Sequence, residues 1–202
     1  MSANDILDPN PFAKPILAKN GDPTAREIYT AVGLSLDRWE HCETSFGVLY
    51  SSLIETKGGN HILMRSFGVI TASNTRREMI WHANDAYFAT HENDDLKSQV
   101  RHLLNLYQDA AARRNEIAHA MVTGDANFKI VDNHAVPLPT IWFLVPPLFA
   151  TRKTEMNMLG PKYRYSTKEL SGFTVCFEEL SSRASCLAQA ICAFRASLPE
   201  TR

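Results

Sequence analysis

The stretch Arg113-Arg114-Asn115-Glu116-Ile117-Ala118-His119-Ala120 brings an arginine, an amide and a histidine within about one and a half turns of a helical pattern. The residue types are suited to acid–base work on an anionic substrate. Histidine has an unperturbed pKa of ~6.5 and can take or give a proton near neutral pH. Arginine stays charged and offers planar, paired donors to phosphate or carboxylate oxygens. The same residues also have an ordinary use. An arginine on a helix can pair with a carboxylate of a neighbouring element, and a histidine in a last helical turn is favoured by the helix dipole without any chemistry. Glu116, between them, reads as a solvent-exposed salt bridge.

Spacing constrains what one copy of this stretch can do. Arg114 and His119 are five residues apart, which at ~100° per residue places them about 140° apart around a helix. Asn115 and His119, four apart, share a face. Arg114 and His119 could therefore flank a groove, meet at a frayed helix end, or be brought together by two copies across a two-fold axis.

The elements that must hold this stretch read as helices. Asp22-Pro23 predicts a helix start, with aspartate at the N-cap and proline at the first helical position. From there Ile28, Val32, Ser35, Trp39, Cys42, Phe46, Leu49 and Leu53 alternate spacings of four and three, the pattern of a helix buried along one stripe. Gly58-Gly59-Asn60 predicts its end. His61 to Thr90 reads as a second helix, in which the polar interval Ser73 to Glu78 marks a candidate break. Arg76 and Arg77 in that interval are candidate substrate contacts to phosphate, as is Arg113; an adjacent basic pair also suits a solvated helix face. Asn93 or Asp94 can cap a third helix from Leu96 to Val122, stopped by Gly124. Its stripe runs Leu96, Val100, Leu103, Tyr107, Ala110, Arg114, Ile117 and Met121, so Arg114 interrupts an apolar face. A charge there needs a partner or a wet cleft.

Residues 125–165 differ in kind. They contain Pro137, Pro139, Pro146, Pro147 and Pro161, and β-prone runs at 128–131, 141–145 and 163–165, which predict an excursion with a small hairpin. Ser166-Thr167-Lys168-Glu169 is a capping box that opens the last helix. The stripe of that helix is Leu170, Phe173, Phe177, Leu180, Ala184, Leu187, Ile191 and Phe194, and Pro199 ends it. The expected fold is mostly α. It is an antiparallel four-helix bundle with a proline-rich, partly β excursion between the third and fourth long helices. Residues 1–21 form an N-terminal arm, extended or packed on the surface, and 22–198 a single helical domain.

Composition narrows the class. The chain has 202 residues, 45% hydrophobic and 21% charged, with a formal net charge of -1. There is no global basic field, so any nucleic-acid contact must be local. No basic segment followed by an apolar run marks a signal peptide. No apolar run reaches the ~18 residues that span a bilayer. The expectation is a cytoplasmic protein without a membrane partner. Cys42, Cys176, Cys186 and Cys192 form no Cys-x-x-Cys pair and read as small apolar residues of a reduced interior. His41-Cys42 is a poor thiol–imidazole pair, because neighbours on a helix diverge, and His82 and His91 lack metal-ligand spacing. No cofactor and no metal is expected.

The hexapeptide Arg-Asn-Glu-Ile-Ala-His at 114–119 resembles the signature of the HEPN superfamily. That signature is an arginine and a histidine separated by four to six residues, often with a polar residue directly after the arginine. The resemblance extends over roughly Asp22 to Leu198 in the order of long helices, motif, excursion and capped last helix. Many relatives have glycine after the histidine; Ala120 stands here and is expected to change the turn, not the chemistry. The resemblance implies a metal-independent endoribonuclease built as a homodimer, with two motifs facing across the interface in one composite cleft. It implies His119 as general base or acid, Arg114 as stabiliser of the phosphate and transition state, and Asn115 as the residue that orients the imidazole or binds a phosphate oxygen. It further implies a toxin or phage-defence factor acting on RNA, with a cognate antitoxin or regulatory protein as a partner. Related domains also include helical modules that bind a protein partner or a small ligand without cutting RNA.

Overall fold

The computed structural model of the protein describes residues 10–54, 60–147, 156–157 and 160–199. These residues are mostly helical, with small antiparallel strand pairs. In chain order they form α1 (Ala25–Leu53), α2 (Asn60–Val69), α3 (Ser73–Thr90), α4 (Asp94–His119), β1 (Met121–Asp125), β2 (Phe128–Val131), β3 (His134–Pro137), β4 (Ile141–Val145), β5 (Met156–Asn157), β6 (Gly160–Pro161) and α5 (Thr167–Ser197). No described helix is long and apolar enough to cross a membrane. The chain divides into two compact units, Met1–Asp37 with Ala112–Val175, and Arg38–Ala111 with Cys176–Arg202, so α1, α4 and α5 each contribute residues to both.

Most positions of the helical stripes read from the sequence are buried; Val32, Leu96 and Phe194 are half-buried, and Met121, read as the end of the third stripe, is exposed in β1. In α1, Ile28, Ser35, Trp39, Cys42, Phe46, Leu49 and Leu53 are all in the core, and in α5 Leu170 through Ile191 are. Ser35 is tolerated there because its hydroxyl donates to the Ala31 carbonyl at 2.9 Å within its own helix.

Several boundaries differ from the expectation. α1 begins at Ala25, not at Asp22-Pro23. Thr24 and Glu27 form its capping box: the Glu27 amide donates to Thr24 Oγ1 at 3.3 Å and the Thr24 amide to Glu27 Oε2 at 3.2 Å. Asp22 serves another helix instead. Its carboxylate accepts the Thr167 amide at 2.9 Å and the Thr167 hydroxyl at 2.5 Å, at the N-terminus of α5, where the helix dipole favours an anion. The capping box of α5 forms as read, with Glu169 Oε2 accepting the Ser166 amide at 2.8 Å. Asn93 caps α4, accepting the Leu96 amide at 3.0 Å. The second helical segment is two helices, broken at 70–72 just ahead of the polar interval. Gly58 and Gly59 lie outside the described residues, and Asn60 opens α2.

α4 stops at His119, and Gly124 does not end it. Met121–Asp125 is a strand paired antiparallel to β4, from Met121 opposite Val145 to Asp125 opposite Ile141. Glycine suits position 124 because a Cβ there would lie 2.6 Å from Thr140 Cγ2. The other edge of β4 is also bonded: Trp142 exchanges backbone hydrogen bonds with Asp22, and Leu144 with Tyr165. β2 and β3 form a hairpin around Asp132 and Asn133, both with positive φ (49° and 63°), as a two-residue turn of this twist requires.

In the first unit the core includes Phe12, Ile28, Ile117, Phe143, Tyr163 and Tyr165. In the second, Trp39 stacks on Tyr107 at 5.4 Å and meets Phe177 edge-on at 5.5 Å.

Candidate functional site

The Arg114–His119 stretch is the last part of α4, in the first unit. The helix is continuous through His119, so the roughly 140° divergence of Arg114 and His119 expected for ideal geometry applies. His119 is exposed; Arg114 and Asn115 are half-buried. Arg114 Nη1 donates to Asn115 Oδ1 at 3.1 Å, which links the arginine and the amide of the motif directly. The histidine stands at the point where the chain leaves the helix for β1.

Glu116 is not the solvent-exposed salt bridge expected of it. Its side chain is 11% exposed and gathers donors from three parts of the unit. Lys14 Nζ lies 2.8 Å from Oε1, Arg113 Nη1 donates to Oε2 at 2.7 Å, and the Tyr165 hydroxyl donates to Oε2 at 2.5 Å. The Tyr163 hydroxyl donates to the main-chain carbonyl of Glu116 at 3.3 Å, and the Tyr163 and Tyr165 rings stack 5.0 Å apart. A carboxylate taken this far out of water needs such donors, because its desolvation otherwise costs several kcal/mol. Burial, and then the bond to Glu116 and its negative charge, push the Tyr165 phenol well above its ordinary pKa, with Arg113 opposing. Tyr165 thus stays protonated and remains a donor.

The other sequence-predicted contacts lie as follows. Arg113 is 13% exposed and ion-paired with Glu116. Arg76 and Arg77 belong to α3 in the second unit. Arg76 Nη1 is 2.6 Å from Glu43 Oε2, and Arg77 Nη1 is 2.5 Å from Glu78 Oε1, with its guanidinium over the Trp81 ring. The structure therefore unites Arg113, Arg114, Asn115 and His119 on one helix, while Arg76 and Arg77 sit in a separate unit. The arginine–histidine spacing of the motif also occurs once more in α3, at Arg77 and His82.

Sequence reasoning missed two polar clusters. The first is Glu116 with Lys14, Arg113 and Tyr165. The second, in the other unit, centres on Glu43, which is 6% exposed. It accepts from Arg76, from the Tyr107 hydroxyl at 2.9 Å and from Ser73 Oγ at 3.2 Å. Burial, then the charge of Glu43, push the Tyr107 phenol above its ordinary pKa. The available signal was Glu43 beside Cys42 on a buried stripe.

Cys42 is buried, and burial with Glu43 beside it pushes its thiol up, which keeps it protonated. Cys186 and Cys192 are exposed, contrary to the expectation of interior cysteines, because α5 turns those positions away from its buried stripe. Among the described residues, no three His, Cys, Asp or Glu side chains group in a way that could hold a metal ion.

An open groove of about 730 Å³ lies within the second unit, lined by Tyr50, Leu53, Met79, His82, Tyr87 and His91 among others. Comparison with protein-family models, with curated proteins and with solved structures finds no match to this chain.

Proposed function

We propose that this chain is one half of a metal-independent endoribonuclease that cuts RNA through the substrate's own 2′-hydroxyl, in a composite site at a homodimer interface. The long helices would form the antiparallel four-helix bundle that carries it, with the strands as the excursion. The observation that carries the reading is the last turn of α4. An exposed His119 ends it, and Arg114, bonded to Asn115, precedes it on a diverging face.

The chemistry follows from the residue types. A base removes the 2′-hydroxyl proton, the 2′ oxygen attacks phosphorus, the bond to the 5′ oxygen breaks, and an acid protonates that leaving oxygen. His119 of one copy and His119 of a second would serve as base and acid. Arg114 would stabilise the phosphorane charge with paired donors, and Asn115 would hold the guanidinium in place. The products are a 2′,3′-cyclic phosphate and a 5′-hydroxyl, and no metal takes part. A net charge of -1 suits a protein that contacts few nucleotides. A toxin or phage-defence role, restrained by a cognate antitoxin or regulatory protein, fits such an activity.

The test incubates wild type and His119→Ala with RNA in the presence of a chelator. Wild type should leave cyclic phosphate ends, and the variant should cut about 10²–10⁴-fold more slowly. Equal behaviour of the two proteins would end the catalytic reading.

The groove in the second unit favours a second reading, a non-catalytic helical module that binds a small ligand. Its volume of about 730 Å³ lies in the range of small-molecule sites. Met79→Trp, which would fill the groove, should then abolish ligand-dependent thermal stabilisation, while wild type cuts RNA no better than His119→Ala.

A further inference from the structure

We infer that Glu116 is the positioning residue of this half-site: its carboxylate clamps the last turn of α4, so that Arg114 and His119 are presented at a fixed rotation. The catalytic consequence rests on the ribonuclease reading; the clamp itself rests on geometry alone. Glu116 stands two residues after Arg114 and three before His119. The carboxylate draws on Lys14 from the segment before α1, on Arg113 from its own helix, and on Tyr165 from the segment before α5. Tyr163 adds a donor to the main-chain carbonyl of the same residue.

Donors from before and beyond the helix, on a side chain and a backbone atom together, resist both rotation and unwinding of that turn. Ile117, 1% exposed, adds an apolar anchor one residue on. A single surface salt bridge would supply little of this restraint. Positioning matters because a displacement of about 1 Å can cost about 10²-fold in rate. Glu116 itself contacts no reacting atom in this scheme, and Lys14 occupies the carboxylate oxygen that Arg113 and Tyr165 do not.

The experiment uses the full chain and compares wild type, Glu116→Ala, Glu116→Gln and Tyr165→Phe. Two readouts are taken: amide hydrogen exchange at residues 117–120, and kcat and KM for RNA cleavage. Glu116→Ala should speed exchange at 117–120 selectively and lower kcat by about 10²-fold with KM little changed. Glu116→Gln keeps an acceptor for Tyr165 and Lys14, and should recover part of both. Should Glu116→Ala fail to fold, Tyr165→Phe must show the same local exchange and the same split at smaller size. Unchanged exchange at 117–120 in folded Glu116→Ala or Tyr165→Phe overturns the clamp. Parallel falls in kcat and in global stability, without local exchange, overturn it too. If wild type cuts RNA no better than His119→Ala, the ribonuclease reading fails, and the exchange data still decide whether Glu116 holds the turn.

Discussion

The Tyr165 hydroxyl donates to the Glu116 carboxylate at 2.5 Å across 49 residues of sequence, and a second phenol, Tyr107, makes a similar bond to Glu43 at 2.9 Å across 64. In both cases a buried tyrosine supplies one of the donors that a buried carboxylate needs. The pairing keeps each phenol neutral and each carboxylate solvated by protein.

A pH dependence follows from these two bonds. Both phenols are pushed above their ordinary value of 10. Above pH 10 the unfolded chain loses these protons while the folded chain keeps them. Stability is therefore fully present below that pH and falls as pH rises beyond it, by up to about 1.4 kcal/mol per pH unit for each phenol. Urea denaturation at a series of alkaline pH values should show this decline in wild type and a shallower one in Tyr165→Phe and in Tyr107→Phe. A Phe variant that keeps the full slope would remove that tyrosine from the account.

The Glu43 cluster makes a second prediction. Glu43→Ala leaves the Arg76 guanidinium, 16% exposed, without its carboxylate 2.6 Å away. Breaking such a pair from one side costs about 3–5 kcal/mol, since the remaining charge stays desolvated. Glu43→Gln retains an acceptor for Tyr107 and Ser73 and should cost less. Denaturant midpoints measure both; a loss under about 1 kcal/mol in Glu43→Ala would mean that Arg76 finds water or another partner.

Much of this was legible in the chain, for a physical reason: helical stripes and capping boxes are local. The buried stripes of α1 and α5 follow from periodicity, and Ser166 with Glu169 from a spacing of three. What escaped reading depends on residues distant in sequence. Asp22 looks like the cap of its own helix, yet its carboxylate bonds Thr167, 145 residues on. Gly124 looks like a helix stop, yet it lies in β1, paired opposite Trp142 of β4, a strand 16 residues further on. Asp132-Asn133, by contrast, is a local hairpin-turn signal, two residues that tolerate positive φ between β2 and β3. In the candidate site the motif residues could be named from the sequence. The donors that fix Glu116 could not, because Lys14 and Tyr165 lie far from it along the chain.

Two glycines separate close approach from simple helix propensity. A Cβ at Gly21 would lie 2.6 Å from the Trp142 carbonyl oxygen and 2.7 Å from Phe143 Cζ, so backbone must shift to admit it. Gly33, inside α1, has nothing within 4 Å of such an atom. Gly21→Ala should destabilise by about 1–3 kcal/mol. Gly33→Ala should stabilise by about 0.5–1 kcal/mol, since alanine loses less backbone freedom in a helix. Thermal melts of the two variants should move in opposite directions; a gain in Gly21→Ala would mean that the contact to β4 is looser than its geometry implies.

The composite-site reading makes its sharpest prediction through mixed dimers. Arg114→Ala should lower cleavage by about 10²–10³-fold, and His119→Ala by about 10²–10⁴-fold. A homodimer of the first variant holds two imidazoles and no stabilising guanidinium, and one of the second holds the reverse. Coexpressed, the two variants form heterodimers in which one Arg114 and one His119 come from different copies. Because a two-fold interface presents the same surface from both copies, these side chains would face each other across it. Cleavage should then rise above the sum of the separate variants, short of wild type because one imidazole does the work of two. A mixture that never exceeds that sum would mean either that both imidazoles are needed at once or that the arginine and the histidine of each working site lie on the same chain. In the latter case the divergence of about 140° along α4 would have to be bridged by the substrate itself.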